Sequence, residues 1–514
     1  MSTSSQPPQP DEDSSLQSAA RNGLVNAPRP ARPNGQTSQH ATPERLPVDD
    51  VRVSMTRVIT AWGFGAAFTN LTAGAIYVAF VRKLGASDFI FGVLAGALPL
   101  MSFLQVLGAR LVERTGRRKL QMMVSGTAAR LLWIVAAFAP LTAQLYPRLI
   151  ASHQVLPVVV GCLLLSGACQ AFNSPAFFSW MADLVPGRVR ATFLARRMQV
   201  GTVIALVTSI AGGLIADYYP NLTVYSVILA LAGLAGVIDI VLFVGVREPP
   251  HSAAVSRGLD SSRMPPFWSS LREPLREPSI RTFLLFISII MFSAGLLGPF
   301  MWLHAFENLN LSKTVTGLIL NVAPYLGVAW SSRFWGDVVK RHGNRPVMRL
   351  GSASLVLVPL YWLSVRPGAT GMSESWDTLF VMTLVVSTLS TGLEITNQNL
   401  LMGLSPHIPR ATLTALFSIA AGLSFAAATW IGGAVAQWLR AIDFRYEVFG
   451  AEFINYHVLF LGALALRLFS ATFIAPRLHE PTATATIETV KEIVPDLIDS
   501  FAARLSRPVG ARED

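Results

Sequence analysis

The sequence predicts an all-α integral membrane protein, with twelve transmembrane helices forming two pseudo-symmetric six-helix bundles around a central cavity. Three observations predict it. Of the 514 residues, 52% are hydrophobic and only 14% charged, too apolar a balance for a chain whose whole surface must be hydrated. The apolar residues fall into twelve segments of about 18 to 28 residues, the length a helix needs to cross the hydrocarbon core. The second half of the chain also repeats short motifs of the first in the same order.

Residues 1–54 carry scattered prolines (Pro7, Pro8, Pro28, Pro30, Pro33) and almost no apolar clustering. Such a stretch buries too little surface to offset its ordering entropy, so a disordered tail is expected. The first apolar run begins only near Ile59, which predicts no cleavable signal peptide. The first bundle, 55–247, holds segments at about 59–80, 89–112, 120–141, 155–181, 198–218 and 224–246. A central loop, 248–281, follows. Its stretch from Phe267 to Arg272 reads as an interfacial helix, with Arg272 and Arg276 toward anionic lipid headgroups. The second bundle, 282–477, holds segments at about 282–303, 315–335, 347–365, 379–404, 412–439 and 457–474. In the tail, 478–514, Ile487, Val490, Val494, Leu497, Ile498, Phe501 and Leu505 recur at helical spacing and predict a surface amphipathic helix.

An even number of spans puts both termini on one side, and charge says which. Alternate loops carry five, four, six, four and one Lys or Arg residues, twenty in all, beginning with Arg110, Arg114, Arg117, Arg118 and Lys119. The opposite loops carry seven: Arg82, Lys83, Arg148, Lys313, Arg366, Arg440 and Arg445. The positive-inside rule therefore predicts cytoplasmic basic loops and termini. The same placement directs the net charge of +11 to headgroups rather than nucleic acid. Cys162 and Cys169 lie seven residues apart on one helix, about 10 Å by helical rise, too far for a disulfide. No metal-ligand spacing occurs, so neither a metal nor another cofactor is expected. Without clustered His, Asp and Glu at a membrane face or a nucleophile beside a base, an enzyme is not expected either.

The repeat is explicit. Pro186, Arg190, Ala191 and Thr192 recur as Pro406, Arg410, Ala411 and Thr412, an offset of 220. The same offset takes Gly212, Gly213 and Ala216 onto Gly432, Gly433 and Ala436. Gln170 and Asn173 align with Glu394 and Asn397, and the basic loop from Gly108 to Lys119 aligns with a weaker copy from Gly336 to Arg345 at an offset near 227. Duplicated bundles facing each other enclose a midplane cavity that rocking opens to each side in turn, the behaviour of a transporter.

Ala109, Glu113, Arg114, Gly116, Arg117 and Arg118, between segments two and three, resemble the corresponding loop of the major facilitator superfamily, Gly-x-x-x-Asp-Arg-x-Gly-Arg-Lys/Arg, over roughly residues 55–477. Ala replaces its Gly and Glu its Asp. The resemblance implies that Glu113 caps a neighbouring helix N-terminus and that the arginines hold the cytoplasmic ends of the bundles together, by a helix dipole and charge-assisted hydrogen bonds. In the second copy Gly336, Arg341, Gly343 and Arg345 fit, whereas Lys340 occupies the acidic position, which implies an asymmetric gate. The family's drug/proton antiporters carry an arginine in segment four and a Gly-Pro-x-x-Gly-Gly run in segment five. Both are missing here, which weakens a drug-efflux reading.

Ionisable groups inside a span are costly and are functional or paired. Arg130, Asp239, Arg333, Glu394 and Arg467 qualify, and Arg333 lies close enough to Gly336 to snorkel. The resemblance implies that segments one, four, seven and ten line the cavity. Glu394 then becomes the candidate proton-coupling carboxylate, with pairing to an intramembrane arginine as the alternative. Arg130, Asn70, Gln170, Asn173 and Asn397 complete the candidate cavity set, and interhelical hydrogen bonding is the alternative for the amides. Asp239 and Arg467 occupy equivalent places with opposite charge and read as structural. Pro99, Pro175, Pro299 and Pro324 allow kinks, and Gly92 with Gly96 reads as close helix packing. The expectation is a monomeric secondary active transporter of a small molecule, with protons as coupling ion, in a bacterial inner membrane. A passive facilitator, and a non-transporting receptor or scaffold on the same fold, are the alternatives.

Overall fold

A computed structural model describes residues 47–249, 272, 274–365, 376–403, 410–448 and 451–478. Most of the expected N-terminal tail, the central-loop stretch from Phe267 to Leu271 and the amphipathic helix of the C-terminal tail lie outside the described residues. Among those described, eleven helices are long and apolar enough to cross a membrane, and a twelfth is formed by a pair bent by 42°.

The bent pair is the first span, α1 (Val48–Ala73, continued by Ala75–Lys83). It starts inside the expected tail because Asp49 and Asp50 sit in its first turn, where the helix dipole favours carboxylates. Span α2 is Asp88–Met101, a tight turn at Ser102–Leu104, then Gln105–Thr115. Next come α3 (Arg118–Leu145), α4 (Val155–Leu184), α5 (Gly187–Tyr218) and α6 (Leu222–Leu242). The second bundle holds α7 (Pro278–Glu307), α8 (Lys313–His342), α9 (Asn344–Ser364), α10 (Trp376–Gly403), α11 (Arg410–Ala441) and α12 (Asn455–Phe469). Most helices outrun their apolar segments because backbone hydrogen bonding continues into the polar flanks. An antiparallel hairpin, β1 (Arg445–Val448) with β2 (Ala451–Ile454), links α11 to α12. Four-residue strands are too short for any periodicity to announce them.

Packing repeats with a shift of six. In the first bundle α3 packs on α4 and α6, and α1 on α5 and α6; in the second α9 packs on α10 and α12, and α7 on α11 and α12. The bundles meet along two seams, α2 against α11 and α5 against α8. Gly92 and Gly96 serve the first seam, since a Cβ at either would strike Thr429 of α11, while one at Gly433 would stand 2.7 Å from the Asp88 carbonyl.

The loops flanked by α2 and α3, and by α8 and α9, turn at what is here called the basic end. Gly116 and Gly343 have φ of 65° and 83°, values that exclude most side chains and explain both glycines. Arg118 is fully buried. It donates to Asp183 at 2.5 Å and to the Pro249 carbonyl at 3.2 Å, and lies 3.5 Å from Glu248. Lys119 donates to the carbonyls of Val244 and Val246. Arg345 donates to the Pro476 carbonyl at 3.1 Å. The offsets agree: 345 − 118 = 227 and 476 − 249 = 227. In both copies, then, the basic loop ties its own bundle together. The resemblance implied a tie between bundles, and the Arg118 and Lys119 bonds are not of that kind. Arg114, Arg117 and Lys340 are exposed, and Lys340 pairs with Asp337 at 3.4 Å on its own helix. The Glu113 side chain lies outside the described set.

Arg118→Ala would leave Asp183 and Glu248 without their shared partner. A loss of about 3 kcal/mol is expected, read as a clear fall in the melting temperature of purified protein, with Arg117→Ala nearly silent.

Candidate functional site

Polar side chains gather inside the first bundle, in the half toward the basic end. Arg130 lies twelve residues into α3, about 18 Å from the helix start. It is 6% exposed, donates to Gln170 of α4 and stands 3.7 Å from Asp239 of α6. Gly65 of α1 makes room for that carboxylate, since a Cβ there would sit 2.8 Å from an Asp239 oxygen. Asn173 donates to the Met122 carbonyl at 2.9 Å. Arg197 of α5 lies over Trp62 at 4.0 Å and Phe177 at 5.1 Å from the ring centroids. These groups line a cavity of about 300 Å³.

A second cavity, of about 390 Å³, lies between the bundles. Tyr77, Trp133, Leu163, Trp302, Leu320 and Phe425 make it mostly apolar, and Thr72 and Ser166 give it hydroxyls. Its walls come from α1 to α4 of one bundle and α7, α8 and α11 of the other. Together the cavities offer aromatic surface beside a charged, amide-lined pocket, the composition of a small-molecule site.

The remaining predicted residues fall elsewhere. Asn70 is occupied: its amide donates to Thr208 and Ser209 of α5 at 2.9 Å, and its oxygen accepts from Asn321 of α8 at 3.3 Å. Asn321 sits in a π-helical turn, Leu318–Val322, facing the break in α1, so two local irregularities meet across the seam. Glu394 and Asn397 line neither cavity. Glu394 is exposed and has no ion-pair partner among the described residues. It lies nine residues, two and a half turns, beyond Val385, which with Val381 forms the exposed apolar face of α10. Nine residues being half a turn more than two full turns, Glu394 lies on the side of α10 opposite that apolar face. Arg467 donates to Ser293 at 3.2 Å and the Leu355 carbonyl at 2.7 Å, a tie among α12, α7 and α9. Asp239, read from sequence as structural, pairs with Arg130 between α6 and α3 and also lines the first-bundle cavity.

One cluster escaped the sequence reading. At the far end, opposite the basic loops, Asp88 is 2% exposed and accepts from Arg440 at 2.9 Å and from the Tyr456 hydroxyl at 3.0 Å. Arg82 lies 3.0 Å from Asp88 and donates through its Nε to Glu307 at 2.7 Å. Arg440 also donates to Glu307 at 2.5 Å. Arg82 and Asp88 belong to the first bundle; Glu307, Arg440 and Tyr456 belong to the second. The signal was present as two cations and two carboxylates bracketing spans on one side, but counting loop cations for topology left the carboxylates unread. A second tie lies nearby. Asp217 at the end of α5 accepts from the Lys313 and Thr314 backbone amides at 2.8 and 3.0 Å, capping α8 from across the seam.

The family model described as Major Facilitator Superfamily matches residues 58–294 and 283–508. No curated protein matches the sequence. Among solved structures, a mutant of the nucleoside transporter NupG superposes with a TM-score of 0.61 at 12% identity, covering 84% of this chain and 100% of that one. A D-xylose-proton symporter gives 0.56 at 14%, covering 83% and 98%. A bacterial homologue of the human lysosomal transporter Spinster, inward-facing and unoccupied, gives 0.54 at 14%, covering 90% and 100%.

Gly65→Ala is expected to displace Asp239 and lower stability by about 1–3 kcal/mol. Gly63→Ala, whose Cβ would meet only Val200 at 3.8 Å, should be tolerated, and thermal unfolding of the two variants side by side checks the contrast.

Proposed function

The chain belongs to the Major Facilitator Superfamily, which makes it a membrane transporter rather than an enzyme, and on that premise we propose that it moves a small molecule by alternating access, driven by protons. The observation that carries this reading is the distribution of the ties. The Arg82–Glu307, Asp88–Arg440 and Asp217–Lys313 pairs join the bundles at the far end. The bonds of Arg118 and Lys119 at the basic end stay within one bundle. Ties of this kind at the far end favour the state in which the bundles hinge there and part toward the basic end.

By the positive-inside rule the basic end is cytoplasmic, the latched end faces outward, and both termini lie inside, in a bacterial plasma membrane. Rocking to the other state requires the latch to open, and a neutral set of two cations and two carboxylates can hydrate as it parts. Glu394, a carboxylate within a membrane-spanning helix that has no ion-pair partner among the described residues, is the group we assign to proton coupling. Gln170, Asn173 and Arg130 contribute the polar part of the cargo site, and Asn70 works in the seam rather than on cargo.

Glu394→Gln in proteoliposomes should abolish gradient-driven accumulation while counterflow persists; unchanged accumulation would remove Glu394 from coupling, and counterflow without accumulation in the unmodified protein would make it a facilitator. Arg82→Ala should loosen the latch by about 1–2 kcal/mol, roughly tenfold in the ratio of the two states. With both native cysteines replaced by Ala, a Thr72→Cys reporter in the inter-bundle cavity should then react about tenfold faster with an impermeant thiol reagent added outside.

A further inference from the structure

Resting on the transporter reading above, we propose that the pocket formed by Trp62, Arg130, Arg197 and Asp239 takes an organic monoanion, a carboxylate on an apolar or aromatic body that fits about 300 Å³. The charge count comes first. Two guanidiniums, Arg130 and Arg197, face one carboxylate, Asp239, so the pocket keeps one positive charge, 2 − 1 = +1, with no further ionisable group on its walls among the described residues. Arginine does not shed its proton, so this charge stays. An uncompensated cation at membrane depth is costly, and a bound anion removes the cost.

Hydrogen bonding points the same way. Arg130 is 94% buried, and its Nε has no partner; neither has the Nε of Arg197. Trp62 and Phe177 both lie within cation–π range of the Arg197 guanidinium. Rings engage only its faces, so its N–H donors are left in the plane, the geometry that grips both oxygens of a carboxylate. Among the neighbouring amides, Gln170 already accepts from Arg130 and Asn173 already donates to Met122. Those two tune the site without neutralising it.

The walls set the rest of the molecule. Val58, Phe178, Ile240 and Phe243 present apolar surface to the body behind the carboxylate. Asp239 repels a second negative charge, which selects monoanions over dianions, and the net positive charge rejects amines. A neutral amide of the same shape offers one acceptor oxygen in place of two, sets its NH2 donors against the guanidinium donors, and gains no charge compensation.

The test uses the full-length protein in nanodiscs and four probes: 3-phenylpropionate, 3-phenylpropionamide and 3-phenylpropylamine, which share one shape, and phenylsuccinate, the same skeleton with a second carboxylate. Calorimetry and thermal shift should show the monoanion binding at least about tenfold more tightly than any of the others. Arg197→Gln should erase that preference, and Arg197→Lys should keep part of it. Equal binding of acid and amide, no binding of the acid, or an intact preference in Arg197→Gln would each overturn the proposal. If Arg197→Gln does not fold, the comparison on unmodified protein decides by itself. Uptake of labelled 3-phenylpropionate separates this inference from the reading beneath it. Selective binding without uptake or counterflow sinks the transporter mechanism and leaves the anion pocket standing. Transport of a neutral compound, without anion preference, does the reverse.

Discussion

A charge within the bilayer must find its counterpart inside the protein, and that constraint places most of the polar chemistry here. Water cannot solvate Arg130, Arg467 or the buried Asp88, so each is fixed by neighbours on other helices. Arg467 is satisfied by a hydroxyl and a carbonyl and locks three helices. Asp88 is satisfied by two arginines and a tyrosine drawn from both bundles. Arg130 is satisfied only in part, by Asp239 and Gln170, and the unfilled remainder lies beside a cavity. The structural charges are closed sets. The open set is the pocket.

Duplication supplies the frame in which these sets differ. Arg118 with Pro249 and Arg345 with Pro476 are the same clamp made twice, and Gly116 and Gly343 both take positive φ at the turns beside them. The interior of each bundle is not duplicated. Asp239 faces two arginines in the first bundle, whereas its counterpart Arg467 meets no carboxylate among the described residues of the second. Under the mechanism proposed above, a symmetric shell with an asymmetric interior would combine a hinge motion common to both halves with cargo chemistry confined to one.

The spans were legible because a membrane helix needs about twenty apolar residues in a row, a local property. The repeat was legible because motif and order survive in one dimension. Gln170, Asn173 and Arg130 were legible as polar groups in apolar runs, and the structure brings those three together. The far-end latch was not, because Asp88, Glu307 and Arg440 are separated by more than a hundred residues and each looks like an ordinary loop charge. Arg197, one residue ahead of the fifth apolar segment, reads in sequence as one of the four cations of its loop, since nothing in its own segment says that α5 continues through it and turns it against Trp62.

The sequence by itself determined a duplicated, twelve-span membrane protein with one strongly basic end, because hydrophobic length and loop charge act segment by segment. Only the tertiary structure decided which charges pair, that a cluster of charges ties the two bundles at the far end, and that Asp239, paired with Arg130, also lines a pocket. Those outcomes depend on distances between helices remote in the chain. Electrostatic cost in a low-dielectric medium is set by such distances, not by sequence spacing.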